Sequence, residues 1–170
     1  MAKSKSLPPI ERLQKLFTVD EEGRLYWKET KRPNFVGQEI KTKSVYGYLQ
    51  VRLDRKTYRV HRIVWALVHG EDPGESHVDH INGDKTDNRP SNLRLCNDGQ
   101  NQLNSRIPSN NTSGIKGVSL DPRPLTKPWR AKYRGKKLGY FTTKEEAVDA
   151  LAAAVERCPD KNFYRFDSTC

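Results

Sequence analysis

Asp79 and His80 stand side by side in the run Val78-Asp79-His80-Ile81-Asn82-Gly83-Asp84, and Asn88, Asn92, Asn97, Asn101 and Asn104 follow. A mere connector has no need for so many polar groups in so short a stretch. A carboxylate with amide oxygens suits a hard divalent ion such as Mg2+ or Mn2+. An imidazole titrating near neutrality can take a proton from water. An ion beside it would stabilise charge developing on a phosphate and its leaving oxygen. The chemistry this collection fits is phosphodiester hydrolysis. Taken singly, each residue has a blander use: Asp79-His80 as a hydrogen-bonded turn pair, the asparagines as caps and turn formers. The combination is what points to a site.

Short elements must hold these groups. Val78 and Ile81 flank the Asp-His pair, so the pair ends a short strand. Asn82-Gly83-Asp84 is a turn signal, because Asn and Gly tolerate the left-handed backbone. Asn92-Leu93-Arg94-Leu95 alternates, with Leu93 and Leu95 on one face and Asn92 and Arg94 on the other. Asn97 with Gln100 predicts a helix start by reciprocal capping, on which Asn97, Asn101 and Asn104 share a face. Two strands and a helix result, with Asp84, Asp87 and Asn88 read as turn residues.

The run from Val78 to Asn104 resembles the HNH endonuclease motif of phage and intron homing endonucleases. Asp79-His80, Asn92 within Asn92-Leu93-Arg94, and Asn101 on the following helix carry the likeness. It implies the ββα-metal fold, with Asp79 and Asn101 binding one metal ion, His80 as general base, and Asn92 bracing the loop that carries His80. Asn101 stands where the name-giving third His would. The four-Cys zinc site of some relatives has no counterpart here. Val60-His61-Arg62 and the apolar helix after it are also similar to the homing relatives, where that helix buttresses the metal fold. On that reading His61, His69 and His77 are scaffold or solvent residues, with a minor chance that His61 or Arg62 reaches phosphate.

The 170 residues leave room for one medium domain or two small ones. Apolar content of 34% is low, so any core is small and divided. Thirty-one Lys and Arg against 21 acidic residues give a net charge of +10, which calls for a polyanionic partner and salt-sensitive binding. Cys96, Cys158 and Cys170 are odd in number and lack any Cys-x-x-Cys pair, so neither a structural zinc nor a disulfide framework is indicated. The N-terminal lysines precede no apolar core of a signal peptide, and no stretch approaches membrane-spanning length. The expected location is the cytoplasm of a bacterial host cell, whether the chain is host- or phage-encoded.

Ahead of the site, Ile10–Leu16 reads as a short helix, 24–28 as a strand, and Tyr46–Leu53 turning into 57–60 as a hairpin. The Lys and Arg mixed with Tyr and Trp here suit a surface lying along a phosphate backbone. His61–His69 reads as a helix stopped by Gly70. Residues 106–114 have linker composition. Beyond them come three strands, 115–120, 129–133 and 137–141. Thr143 with Glu146 then opens a helix to about Glu156, with Val148, Leu151, Ala152 and Val155 as its buried stripe. Between Arg123 and Lys137 there are seven basic residues and no acidic one. Alternation puts Arg130, Lys132 and Arg134 on one face of the middle strand. A small basic sheet of this kind can enter the major groove. Gly117-Val118, Trp129-Arg130-Ala131, Leu138-Gly139-Tyr140-Phe141 and Glu145-Glu146-Ala147 resemble the plant ethylene-response-factor DNA-binding domain. That likeness implies a three-stranded sheet docked in DNA, although Ser119 and Leu120 replace the arginines of its first strand.

The sequence therefore predicts an α+β protein: a β-rich region and ββα-metal nuclease core in residues 1–105, a linker at 106–114, a three-stranded antiparallel sheet on one helix in 115–157, and a tail at 158–170. The expected activity is metal-dependent nicking of double-stranded DNA. His80 and Asn92 are the catalytic candidates, Asp79 and Asn101 the ligands of one Mg2+ or Mn2+ ion, and Arg130, Lys132, Arg134 and Lys137 the DNA contacts. No membrane and no obligate protein partner is indicated. The alternatives are a non-catalytic DNA-binding regulator with a degenerate nuclease fold, and an RNA-binding protein, for which exposed aromatic platforms are few.

Overall fold

A computed structural model describes residues 6–123 and 126–166; Lys3, Lys5 and Cys170 lie outside them. The architecture is α+β, built from four small antiparallel pairs or sheets and four helices. Packing divides the chain between Asn97 and Asp98. That division falls ahead of the 106–114 segment expected as the linker.

In the first unit, α1 (Ile10–Leu16) buries Leu13 and runs straight into β1 (Phe17–Val19), which pairs with β2 (Leu25–Trp27). β3 (Gln50–Leu53) and β4 (Lys56–Arg59) form a hairpin whose corner residues Asp54 and Arg55 both have positive φ, 45° and 65°. That geometry matches the twist of the two strands. The strand expected over Tyr46–Leu53 begins only at Gln50, because Ser44–Tyr48 closes into a separate turn. α2 (Val60–His69) follows, capped by Gly70 in the left-handed conformation. β5 (His77–His80) then pairs with β6 (Leu93–Cys96). Leu13, Phe17, Leu25, Val60, Ile63 and Val64 make the centre of this unit's core, against which Val78 and Leu93 pack from the β5–β6 pair. The Arg62 guanidinium is buried and donates to the carbonyls of Ser76 and Gly74 at 2.7 and 2.8 Å. It fastens α2 to the chain entering β5, so Arg62 is scaffold.

In the second unit, α3 (Asp98–Leu103) contributes Leu103 to a separate core with Val118, Ala131, Tyr133, Ala147, Leu151 and Val155. The segment 106–114 is without helix or strand but is tied down at its end. The Ser113 hydroxyl bonds the Val118 carbonyl at 2.7 Å, and the Asn111 amide donates to the carbonyls of Ile115 and Val118. The Lys116 ammonium donates to the carbonyls of Gln102, Leu103 and Ser105, each at 2.8 Å, and so closes the C-terminal end of α3. β7 (Val118–Leu120), β8 (Trp129–Tyr133) and β9 (Lys136–Phe141) form a sheet in that order, with a bulge at Ala131/Lys132. α4 (Lys144–Glu156) covers one face, opened by the reciprocal Thr143–Glu146 cap. Its buried line is Ala147, Leu151 and Val155, with Val148 and Ala152 only half-buried at the margin. Alanine at 147 lets the helix sit close on the sheet. In the tail, Phe163 and Tyr164 pack against this core, and the Tyr164 hydroxyl donates to the Lys116 carbonyl at 2.6 Å.

Candidate functional site

The register of β5 on β6 sets the first feature. Asp79 lies opposite Arg94 and His80 opposite Leu93. Opposed residues on one face of an antiparallel pair touch, and the Asp79 carboxylate meets the Arg94 guanidinium at 3.0 and 3.1 Å. Both side chains are largely buried, Asp79 at 9% exposure. A charge pair removed from water keeps the carboxylate fixed on its strand.

His80 is 4% exposed. Burial pushes its pKa down, against opposing effects of its hydrogen bond to the Asn88 oxygen and the charge of Asp79. The ring is therefore neutral at neutral pH, as a proton acceptor must be. Its Nε2 lies 2.9 Å from the Asn88 amide oxygen. An amide oxygen only accepts, so Nε2 carries the ring proton and Nδ1 is the basic nitrogen. Asn88 is 2% exposed; by sequence it is a turn residue like the other polar residues of its loop, and nothing local distinguishes it. Only the folding of residues 81–92 back over β5 brings its amide to the ring.

That loop is wired by its own side chains. The Asn92 amide donates to the Asp87 carbonyl at 2.8 Å and to the Asn82 side-chain oxygen at 3.0 Å, while its oxygen accepts from the Asn82 backbone N–H at 3.0 Å. The Asn82 oxygen also accepts from the Asp84 backbone, and the Asn82 amide donates to the Asp87 carboxylate. Thr86 and Arg89 hold the carboxyls of Asp84 and Asp87 below the ordinary range. From outside, Gly23 presses on the loop: a Cβ there would sit 2.0 Å from the Asn88 carbonyl oxygen. Glycine alone permits that approach, at a φ of 71°.

Two aromatic groups stand next to His80: His61, which the sequence marks as scaffold, and Tyr48, which it marks only as part of a strand. The His61 ring on α2 meets the His80 ring edge-on at 4.9 Å between centroids, and Tyr48 lies 6.0 Å away. His61 is itself buried, its pKa pushed well down by burial, with its Nδ1 lacking a hydrogen-bond partner. Tyr48 is flanked by two cations, Arg59 at 5.0 Å and Lys85 at 4.8 Å from its ring centre.

The first unit thus joins Asp79, His80, Asn88, Asn92 and Arg94. Asn101 lies on α3 in the second unit, exposed, and Asn104 is buried there. Among the described residues no three His, Cys, Asp or Glu side chains cluster as a metal-binding group. The donors that fit a hard cation are the Asp79 carboxylate and amide oxygens. In the second unit, Arg130 and Lys132 project from β8 on the face away from α4, and Arg130 bonds the Ser119 hydroxyl at 3.2 Å. Lys137 on β9 lies over the Tyr140 ring at 4.2 Å. Arg134 departs from the alternation: it sits at φ 49° in the β8–β9 turn, where its guanidinium pairs with Asp160 at 2.8 Å.

The neutral histidine beside a fixed carboxylate, in a loop wired by asparagines, falls in a stretch with known relatives. Residues 58–103 match the HNH endonuclease family. The matched segment runs from β4 through α2, the β5–β6 pair and α3. Two viral relatives match the chain: Protein 3.8 of Escherichia phage T7, 39% identical over 38% of this chain and 53% of the relative; and an uncharacterised HNH endonuclease of Acanthamoeba polyphaga mimivirus, 36% identical over 43% of this chain and 38% of the relative. The chain thus spans about half or less of the length of these relatives. A solved structure of DNA binding and cleavage by the HNH homing endonuclease I-HmuI aligns at 28% identity, over 52% of this chain and 51% of that one, with a TM-score of 0.36. No helix among the described residues is long and apolar enough to cross a membrane.

Proposed function

We propose that the chain is a metal-dependent DNA endonuclease of the HNH type that hydrolyses phosphodiester bonds and nicks duplex DNA. The observation that carries this reading is His80, neutral through burial, with Nε2–H held by Asn88 so that Nδ1 is the proton acceptor. His80 takes a proton from water attacking the phosphate. Asn92 acts as a positioning residue through the loop it braces. Asp79 and, as the HNH resemblance implies, Asn101 would hold one Mg2+ or Mn2+ ion, which would supply charge at the scissile phosphate. Arg94 shares the Asp79 carboxylate and holds it in place on its strand. In the second unit, the ethylene-response-factor-like sheet contacts DNA through Arg130, Lys132 and Lys137. Arg134, engaged with Asp160, contributes less than its place in the sequence implies. One site per chain cuts one strand per encounter, leaving 5′-phosphate and 3′-hydroxyl ends as the resemblance implies. The setting is the cytoplasm of a bacterial host.

Supercoiled plasmid incubated with Mg2+ tests the reading. Wild-type protein converts it to the open circle. His80→Ala lowers that rate by at least about a hundredfold, the scale of a lost general base, while retaining DNA binding. Wild-type protein that binds DNA and never nicks it with Mg2+ or Mn2+ identifies a regulator instead.

A further inference from the structure

Ser44 to Gly47 form a tight turn, the Gly47 N–H bonding the Ser44 carbonyl at 2.9 Å. Its two corner positions are held by Val45, 95% exposed, and Tyr46, 70% exposed. Turn corners ordinarily go to Gly, Pro, Asn or Asp, whose backbones suit them. Here a β-branched residue and an aromatic ring hold these corners, open to solvent and without packing gain.

The turn is held firmly. The Ser44 N–H bonds the Tyr48 carbonyl at 2.8 Å, the Ser44 hydroxyl accepts from the Tyr48 N–H, and Lys43 bridges to Leu49 below it. The Lys85 ammonium, from the loop that carries Asn88, donates to the Tyr46 carbonyl at 3.0 Å. The tip is therefore tied to the His80 loop, and Tyr48 at its base lies 6.0 Å from the His80 ring. Lys43 lies at the base of the turn and Lys85 at its tip, and from Lys41 to Leu53 the sequence holds no acidic residue. An exposed apolar tip with the Lys85 ammonium beside it fits a polyanion with an apolar interior, which is the base stack of a duplex.

We infer that Val45 and Tyr46 form a wedge that enters the base stack of duplex DNA beside the scissile phosphate and partly unstacks it. Lys43 and Lys85 hold the backbone, and the wedge opens the step presented to His80. Insertion of apolar side chains between base steps kinks and unwinds a duplex. The inference rests on DNA being the substrate, as proposed above, but not on cleavage.

Closed circular plasmid relaxed by a type IB topoisomerase in EDTA reads unwinding without a known target site. Full-length His80→Ala protein keeps the plasmid intact. At saturating protein it shifts the topoisomer distribution, and His80→Ala/Tyr46→Phe, which keeps an apolar ring, shifts it equally. His80→Ala/Val45→Ser/Tyr46→Ser binds the same plasmid with affinity reduced by no more than about tenfold, an unstacking contact's worth, and leaves the distribution unmoved. An unmoved distribution with bound His80→Ala protein overturns the wedge while the nuclease reading stands on the Mg2+ nicking assay. A shift that persists in the double-Ser variant overturns it also. Failure to bind duplex DNA at all removes both.

Discussion

Asn88 decides which nitrogen of His80 is basic, and it does so with one hydrogen bond in a buried place. Replacing it by alanine leaves an imidazole N–H buried without its acceptor, a loss of about 1–3 kcal/mol. Asn88→Ala therefore lowers the urea midpoint of the first unit, and slows nicking by more than this loss of folded protein explains, since the ring can then adopt the wrong tautomer. Asn88→Asp preserves the acceptor and retains nicking, which a single-turnover assay separates from the stability effect. At this scale the sequence showed the Asp79-His80 pair and Asn92. It could not show Asn88 or Arg94 as their partners. Asn88 looks like any polar residue of a turn, and Arg94 meets Asp79 only through a strand register that depends on how the loop between them closes.

Among elements, the loop 81–92 is the one on which the site depends, and the β1–β2 turn supports it from outside. Gly23→Ala forces a methyl into the Asn88 carbonyl and strains a left-handed backbone, costing about 1–3 kcal/mol from the backbone conformation alone. Thermal melting of the variant falls accordingly, and nicking falls with it because Asn88 is displaced. The β8 strand gives a different prediction. Arg130→Ala together with Lys132→Ala weakens DNA binding and flattens the salt dependence by about two phosphate contacts. Arg134→Ala changes affinity less, because its guanidinium is committed to Asp160. Equal losses in both variants place Arg134 at the DNA and show the Asp160 pair to be exchangeable. The middle strand of this sheet was legible from alternation and α4 from its capping box. The end of the alternation at Arg134 was not, since a positive φ in a non-glycine residue leaves no mark in the sequence.

For the whole molecule, all four histidines fall in the first unit and none in residues 98–170. Burial holds the folded-state pKa of His61 well below its ordinary 6.5. The unfolded chain therefore binds the proton first as pH falls, and stability from this group is complete above about pH 6.5 and lost below it. The slope is about 1.4 kcal/mol per pH unit for one such histidine. Between pH 7 and 5.5 the first unit weakens in urea while the second holds. Tryptophan fluorescence distinguishes them: Trp129→Phe leaves reporters only in the first unit, and Trp27→Phe/Trp65→Phe only in the second. His61→Gln reduces the acid sensitivity of the first unit; an unchanged slope in that variant assigns it to other groups.

By itself the sequence determined the classes of residue available for chemistry, the alternation of β3, β6 and β8, the amphipathic helices and a charge that calls for a polyanion. These are properties of spacing and composition, readable without any long-range contact. The tertiary structure alone decided that Asp79 faces Arg94, that Asn88 holds His80, that His61 and Tyr48 stand beside that ring, and that the chain divides at Asn97 rather than at its polar 106–114 stretch. Each of these follows from chain closure and from which core claims a given apolar residue, as when Leu103 draws α3 into the second core. Such choices depend on the free energy of the assembled packing, which no local window of the sequence contains.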